Sequence, residues 1–491
     1  MSRHPHPEVA VPRQHSPTAA TLGGPERPEG PGGSGGRVRD RSRLRSTAAA
    51  FTSLTALAAT SLVAGPAVAQ PFAGPCALER SAAHHSEGLD TWNAAYPRPA
   101  RTLNAVMVFL SFPDARPLTT PAELTADYFP ATSRFYEQAS YGKFTLQPHP
   151  QREWIRMPKP STAYAIRRDW DPAHRSAYLR DAVAAADPEV DFRKFDVVYF
   201  VADPDAPGVD SDATKVVNFD RPMEADGTSI RRIVTVFERH PPDRNVLAHE
   251  TGHVFDLPDL YHRPTDGKGD WDTYVGDWDV MGSQFGLAPD FFAWHKWKLG
   301  WLEPRQVVCV QGRGSTRLTM EPLSAGPGGT ATGVAPGPGG TGAEQRGPEG
   351  RAAVDGKAAD PVVGGAAGGV GATGRFGAGS GTKLAVVRTG RTSAIAIEAR
   401  GAVGNDAATC TEGLLIYRVR SETASGAGPV EVIDAHPGSE ACWGQSVYPA
   451  LADAPVRAGE SFTVPDEKVR IVVDAQDRTE NGDWSVKITT G

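Results

Sequence analysis

The 491-residue sequence predicts a mixed α/β (α+β) domain followed by a β-sandwich-like C-terminal domain. Two patterns lead there. Across residues 101–310, apolar runs of strand character alternate with stretches of helical spacing, and one helix carries His249-Glu250-Thr251-Gly252-His253. Within residues 311–491, short β-rich runs punctuated by Gly, Asp and Asn recur at the spacing of a sandwich. Residues 325–381 interrupt that second region. They are dominated by Gly, Ala and Pro with almost no aromatics, so they offer too little apolar surface to fold and read as a flexible insertion.

Taken from the N-terminus, residues 1–69 read as a long leader. Arg37, Arg39, Arg41, Arg43 and Arg45 precede an uncharged Ala/Leu/Thr-rich run, and Ala67-Val68-Ala69 closes it with the small residues a signal peptidase requires. The leader holds no Arg-Arg pair, which favours the general secretory route and cleavage after Ala69. The expectation is a secreted, extracellular protein with no membrane span after cleavage. Removing a leader of net charge +4 takes the chain from −7 to −11, an acidic balance that argues against nucleic-acid partners. Cys76, Cys309, Cys410 and Cys442 remain, an even count that suits two disulfides in an exported chain. Of the three pairings, Cys76–Cys309 with Cys410–Cys442 is preferred, since the latter two lie in one region.

Residues 70–100 are polar and read as an N-terminal arm or short pro-region, with His84 and His85 on its surface. His149, His174, His240 and His436 also read as surface residues. A strand is predicted over 102–112 and a helix over 120–138, carrying Leu124, Tyr128, Phe129 and Phe135. A strand over 144–148 should end at Pro148. A helix over 178–186, a buried strand over 196–202 and a strand over 230–237 then lead to the His-Glu helix, for which Asp243 is the expected N-cap. Trp294, Trp297 and Trp301 have helical spacing and read as core. The C-terminal domain should contribute strands at 317–320, 383–387, 393–397, 414–419, 461–464, 469–473 and 484–488, with the insertion between the first and second.

The pentapeptide from His249 to His253 carries the chemistry. Four residues apart on a helix, the two imidazoles project from one face and can share a metal ion. Glu250 points about a quarter turn away, where it can hold the attacking water as general base. Asp259 offers a third, oxygen ligand, and Pro258 before it turns the chain back. Two His, one carboxylate and an open position describe a hydrolytic Zn2+ site. Asp270, Asp272, Asp277 and Asp279 are a Ca2+ alternative to a solvated acidic loop.

These residues carry a family resemblance. HETGHVFDLPDLY at 249–261, with WDVMGS at 278–283, resembles the immune inhibitor A-type family of secreted bacterial metallopeptidases. VMVFLSFPD at 106–114, FYEQASYGKF at 135–144 and GLLIYRV at 413–419 are similar to further stretches of it. The resemblance implies a metzincin-like catalytic domain at 101–310, zinc held by His249, His253 and Asp259, Glu250 as the base, and Met281 in a turn beneath the metal. It also implies peptide-bond hydrolysis in protein or peptide substrates by a monomeric endopeptidase. Asp256 departs from the pattern, because the family has glycine there; Asp tolerates the left-handed turn better than most residues. Ser283 stands where some metzincins carry a tyrosine that stabilises the oxyanion, leaving Tyr261, His262, Tyr274 and His295 as candidates. Two other functions fit the motif less well. A gluzincin-like aminopeptidase would need a distant glutamate, and Glu303 lacks the helix that supplies it. A secreted binding or adhesion protein would have no use for Glu250.

Overall fold

The first strand, β1 (Thr102–Ser111), is apolar on both faces and so becomes the centre of a layered structure. Leu103, Ala105, Met107 and Phe109 enter one core, while Val106, Val108 and Leu110 enter another. This is a computed structural model that describes residues 74–264, 269–325, 381–474 and 482–491. The expected leader and all but the ends of the 325–381 insertion lie outside those residues.

After β1 the single helix expected over 120–138 is two. Pro130 removes a donor and ends the first, giving α1 (Pro121–Tyr128) and α2 (Ala131–Ala139). Thr120 and Glu123 form a capping box on α1. The following strand, β2 (Thr145–Arg156), does not end at Pro148 but runs through both Pro148 and Pro150. It can do so because it pairs only with β1, at the sheet edge. Next, α3 (Pro172–Ala186) begins earlier than its apolar spacing suggests, with Asp171 capping it and Pro172 in its first turn.

Strand β3 (Val197–Ala202) is followed by a strand that hydrophobic patterning missed, β4 (Lys215–Ala225), and by β5 (Thr228–Val236). Asp226 and Gly227, both at positive φ, join β4 to β5 in an antiparallel hairpin. The sheet order is β2-β1-β3-β5-β4, parallel except for β4. Two helices follow, α4 (Val246–Val254) and α5 (Ala293–Lys298). Trp294, Trp297 and Trp301 are core residues, as expected.

The remaining strands are β6 (Val307–Val310), β7 (Gly314–Met320), β8 (Leu384–Arg388), β9 (Ser393–Arg400), β10 (Gly413–Arg420), β11 (Val430–Val432), β12 (Ser461–Thr463), β13 (Val469–Val473) and β14 (Trp484–Thr490). They form two sheets, β11-β10-β9-β8-β6 and β12-β13-β14-β7. β6, unforeseen, pairs with β8; the 325–381 stretch lies between β7 and β8, the strands expected at 317–320 and 383–387. The middle sheet is buried on both faces. Leu384, Val386, Ala394, Ala396, Leu415 and Tyr417 share the core that holds α4, while Ala385, Val387, Ile395, Ile397, Leu414 and Ile416 pack with the last sheet. The described residues fall in one compact unit, Ala69–Gly491. Cys76 with Cys309 and Cys410 with Cys442 form disulfides, at Cα separations of 5.6 and 6.0 Å. No helix among the described residues is long and apolar enough to cross a membrane.

Candidate metal centre

Helix α4 is buried along its whole length, and its backbone is fixed from several sides. The Tyr136 hydroxyl donates to Ala248 O at 2.7 Å, and the Thr251 hydroxyl, itself bonded to Tyr199, donates to Leu247 O. Asn245, in the left-handed region, takes the N-cap position without a side-chain cap. Asp243 therefore is not the N-cap; its carboxylate instead accepts from Gln284 Nε2. The helix stops at Val254, before Pro258 can act. Asp256, at φ 66°, makes the left-handed turn its position requires.

That turn brings three metal-capable side chains together. The donor atoms of His249, His253 and Asp259 all lie within 4.8 Å of one another, with Asp259 Oδ1 3.0 Å from His253 Nε2 and 3.5 Å from His249 Nε2. Each imidazole is oriented from behind. His249 Nδ1 donates to Val280 O at 2.8 Å and His253 Nδ1 to Leu257 O at 2.8 Å, so both Nε2 atoms face Asp259. Burial opposes a charged His253, but Asp259 outweighs it and raises the imidazole to about 9. Burial likewise opposes a charged Asp259, and His253 and His249 together hold it well below the usual carboxylate range. This donor set fits a zinc ion: two neutral-capable imidazoles fixed by backbone carbonyls and one carboxylate. Beside it, Glu250 Oε2 is buried with no hydrogen-bond partner in the protein. A carboxylate oxygen left bare in the wall of a cavity is an acceptor awaiting a ligand's proton.

Met281 lies directly beneath α4. A Cβ on Gly252 would stand 2.3 Å from its Sδ, so only glycine admits the contact. The turn is held by Asp279, whose carboxylate accepts from Met281 N, Phe292 N and His295 Nδ1. His295 completes a buried chain to Glu87 at 2.8 Å. Burial opposes its charge, but Glu87 and Asp279 on either side raise it to about 9. Arg400, on β9, donates to Trp278 O and pairs with Glu398 and Asp406, tying the middle sheet to the same turn. The four aspartates form no shared metal-capable cluster among the described residues: Asp270 is exposed and Asp272 half-buried, as a solvated loop predicts, but the other two are not. Asp277 and Asp279 are buried and consumed by backbone and hydroxyl donors, and among the described residues the only metal-capable group is His249, His253 and Asp259.

A cavity of about 510 Å³ opens over the ligands, with exposed Trp271 and Phe285 on its wall. Of the four oxyanion candidates, Tyr261 lines it, 6.2 Å from the His249 ring and nearly parallel to it. His295 is fully buried in the chain just described, and His262 and Tyr274 pack on each other outside the cavity lining. Glu303 pairs with Arg305 and Lys143 and does not line the cavity.

Two contributors escaped the sequence reading. Ser425, after β10, accepts from Asp259 N at 2.8 Å and donates to Asp259 Oδ2 at 3.0 Å, anchoring the third ligand from the C-terminal region. His85 is not a surface residue: it is 5 % exposed, its Nδ1 lies 2.9 Å from Asp256, and it lines the cavity. The arm could be buried because Leu78, Ser86 and Glu87 pack inward and Trp294 Nε1 donates to Glu87 O. Neither Ser425 nor His85 sits in a pattern that would have marked it; each is defined by a partner more than 160 residues away. No protein-family model matches the chain, and no curated protein is significantly similar to it.

Proposed function

We propose that this chain is a secreted zinc endopeptidase of the metzincin-like, immune inhibitor A-type kind, with a β-sandwich-like C-terminal region that completes its catalytic half. The observation that carries the reading is the convergence of His249, His253 and Asp259 beside the unpartnered carboxylate of Glu250 at the floor of an open cavity. His249 Nε2, His253 Nε2 and an Asp259 oxygen would hold the ion. Bound zinc would polarise the scissile carbonyl and lower the pKa of water. Glu250 orients the attacking water, takes its proton, and returns that proton to the leaving amine as the C–N bond breaks. Tyr261 stands along the cavity wall beside His249, where its hydroxyl can donate to the carbonyl oxygen as negative charge develops. The exposed aromatics Trp271 and Phe285 provide apolar surface for substrate side chains. Secretion is supported by the leader's composition and by the two disulfides.

The test is casein or peptide digestion by the zinc-loaded protein, with metal content measured alongside. Glu250→Gln should retain zinc and fold while losing nearly all turnover. Comparable turnover by that variant would refute the mechanism, and absence of zinc from the wild type would refute the site.

A further inference from the structure

Asp256 stands at the family's glycine position, and its carboxylate is almost fully buried with two partners, both from the arm. Arg80 forms an ion pair with it, and His85 Nδ1 hydrogen-bonds it at 2.9 Å. The His85 ring then lies nearly parallel to that of His253, 5.6 Å between centroids, and borders the same cavity as Glu250. Among the described residues no other hydrogen bond is made by that ring.

The arm itself is built in. Cys76 ties it to Cys309, Ser81 and Ser86 donate to Ser421 O, and Trp301 Nε1 donates to Pro99 O. A segment so interlocked with the middle sheet and α5 cannot leave as a pro-region without taking Glu87 away from buried Lys298 and His295.

We propose that the arm is a permanent wall of the cleft and that His85, oriented by Asp256, binds the peptide substrate by accepting one of its backbone N–H groups. The tautomer decides the polarity. Asp256 accepts from Nδ1–H, so the neutral ring offers its Nε2 lone pair, an acceptor that suits an amide N–H and not a carbonyl. Asp256 is thus a positioning residue and His85 a substrate-binding one. This inference rests on the peptidase reading.

The experiment uses the zinc-loaded protein and one cleavable peptide, with a series of analogues in which each backbone N–H in turn is replaced by an ester oxygen. One ester position should cost the wild type roughly three- to tenfold in kcat/KM, the range of a single neutral hydrogen bond. His85→Ala should show the same loss on the all-amide peptide, and no further loss at that ester position. His85→Gln, whose amide oxygen can accept, should recover part of it and guards against a folding defect. Asp256→Asn keeps an acceptor for Nδ1–H and should be milder than Asp256→Gly. Independently of turnover, the metal-free protein should bind the peptide three- to tenfold more weakly with His85→Ala, at unchanged zinc capacity. If the His85→Ala and ester losses multiply at every position, or N-terminal sequencing of the active protein shows residues 74–100 removed, the proposal is overturned. No hydrolysis by a zinc-loaded wild type would overturn the peptidase reading, and the proposal with it.

Discussion

Replacing Gly252 by alanine asks whether the ligand-bearing helix and the Met281 turn are packed as one unit. On helix propensity alone the change should stabilise α4 by about 1 kcal/mol. Against this, the new methyl would stand 2.3 Å from Met281 Sδ and 3.1 Å from its Cε. That is roughly 1 Å or more inside ordinary contact at the sulfur. Met281 is fully buried and its backbone is held by Asp279, so it has nowhere to swing. Overpacking of this kind costs about 1–3 kcal/mol, leaving a net destabilisation of up to about 2 kcal/mol. In a Met281→Ala background the clash is gone and only the propensity gain remains. A double-mutant cycle by urea unfolding of the metal-free protein should therefore give a coupling of about 1–3 kcal/mol, the second change relieving the first. Working without metal removes the contribution of binding to apparent stability. Zinc affinity of Gly252→Ala should also fall, because Val280 O, which orients His249, adjoins Met281. A Gly252→Ala protein as stable as the wild type, with coupling under about 0.5 kcal/mol, would refute the contact.

Other parts of the structure make separate demands. Asp259→Ala should abolish zinc retention against a mild chelator, whereas Ser425→Ala should weaken affinity by roughly 10–100-fold, measured by competition titration; equal affinity in the serine variant would mean its two hydrogen bonds do not hold the ligand. Loop length predicts that the Cys76–Cys309 link, spanning 233 residues, contributes up to about 5 kcal/mol, and Cys410–Cys442, spanning 32, about 4 kcal/mol. Paired serine replacements should rank in that order by urea midpoint. Glu321 N donates to Thr382 O at 2.9 Å, so the two ends of the 325–381 stretch are neighbours. Replacing residues 326–380 with about ten residues should change stability by at most about 1–2 kcal/mol and leave zinc binding intact; a lost zinc site would count against the insertion reading. Burial raises Glu238 to about 7 and Asp272 to about 6 on the cavity wall. Both are neutral at low pH and ionise as pH rises through those values, so KM for a lysine-containing peptide should fall relative to a neutral one between pH 5 and 8.

The elements that could be read from the chain are those whose information is local. The i,i+4 spacing of His249 and His253 already places both rings on one helix face, and the positive φ of Asp256 follows from its position in the turn. The runs LAVV, AIAI and LLIY also announced strands, but not their surroundings. Continuous apolarity means only that both faces are covered, and the structure shows by what: the α4 layer on one side and the last sheet on the other. Strand β4 was missed because its exposed edge position imposes no apolar run, although Asp226-Gly227 was a hairpin signal within reach.

What the sequence by itself determined is the set of candidate site residues: the two histidines, Glu250, and the aspartate six residues beyond His253, all within eleven residues of chain. Local helix and turn geometry suffices to bring such neighbours together. What only the tertiary structure decided is how those donors are aimed. The carbonyl of Val280, the hydroxyl of Ser425, and the imidazole of His85 with the carboxylate of Glu87 come from three separate stretches of the chain. A hydrogen bond reaches about 3 Å in space whatever the separation in sequence, and no periodicity records it.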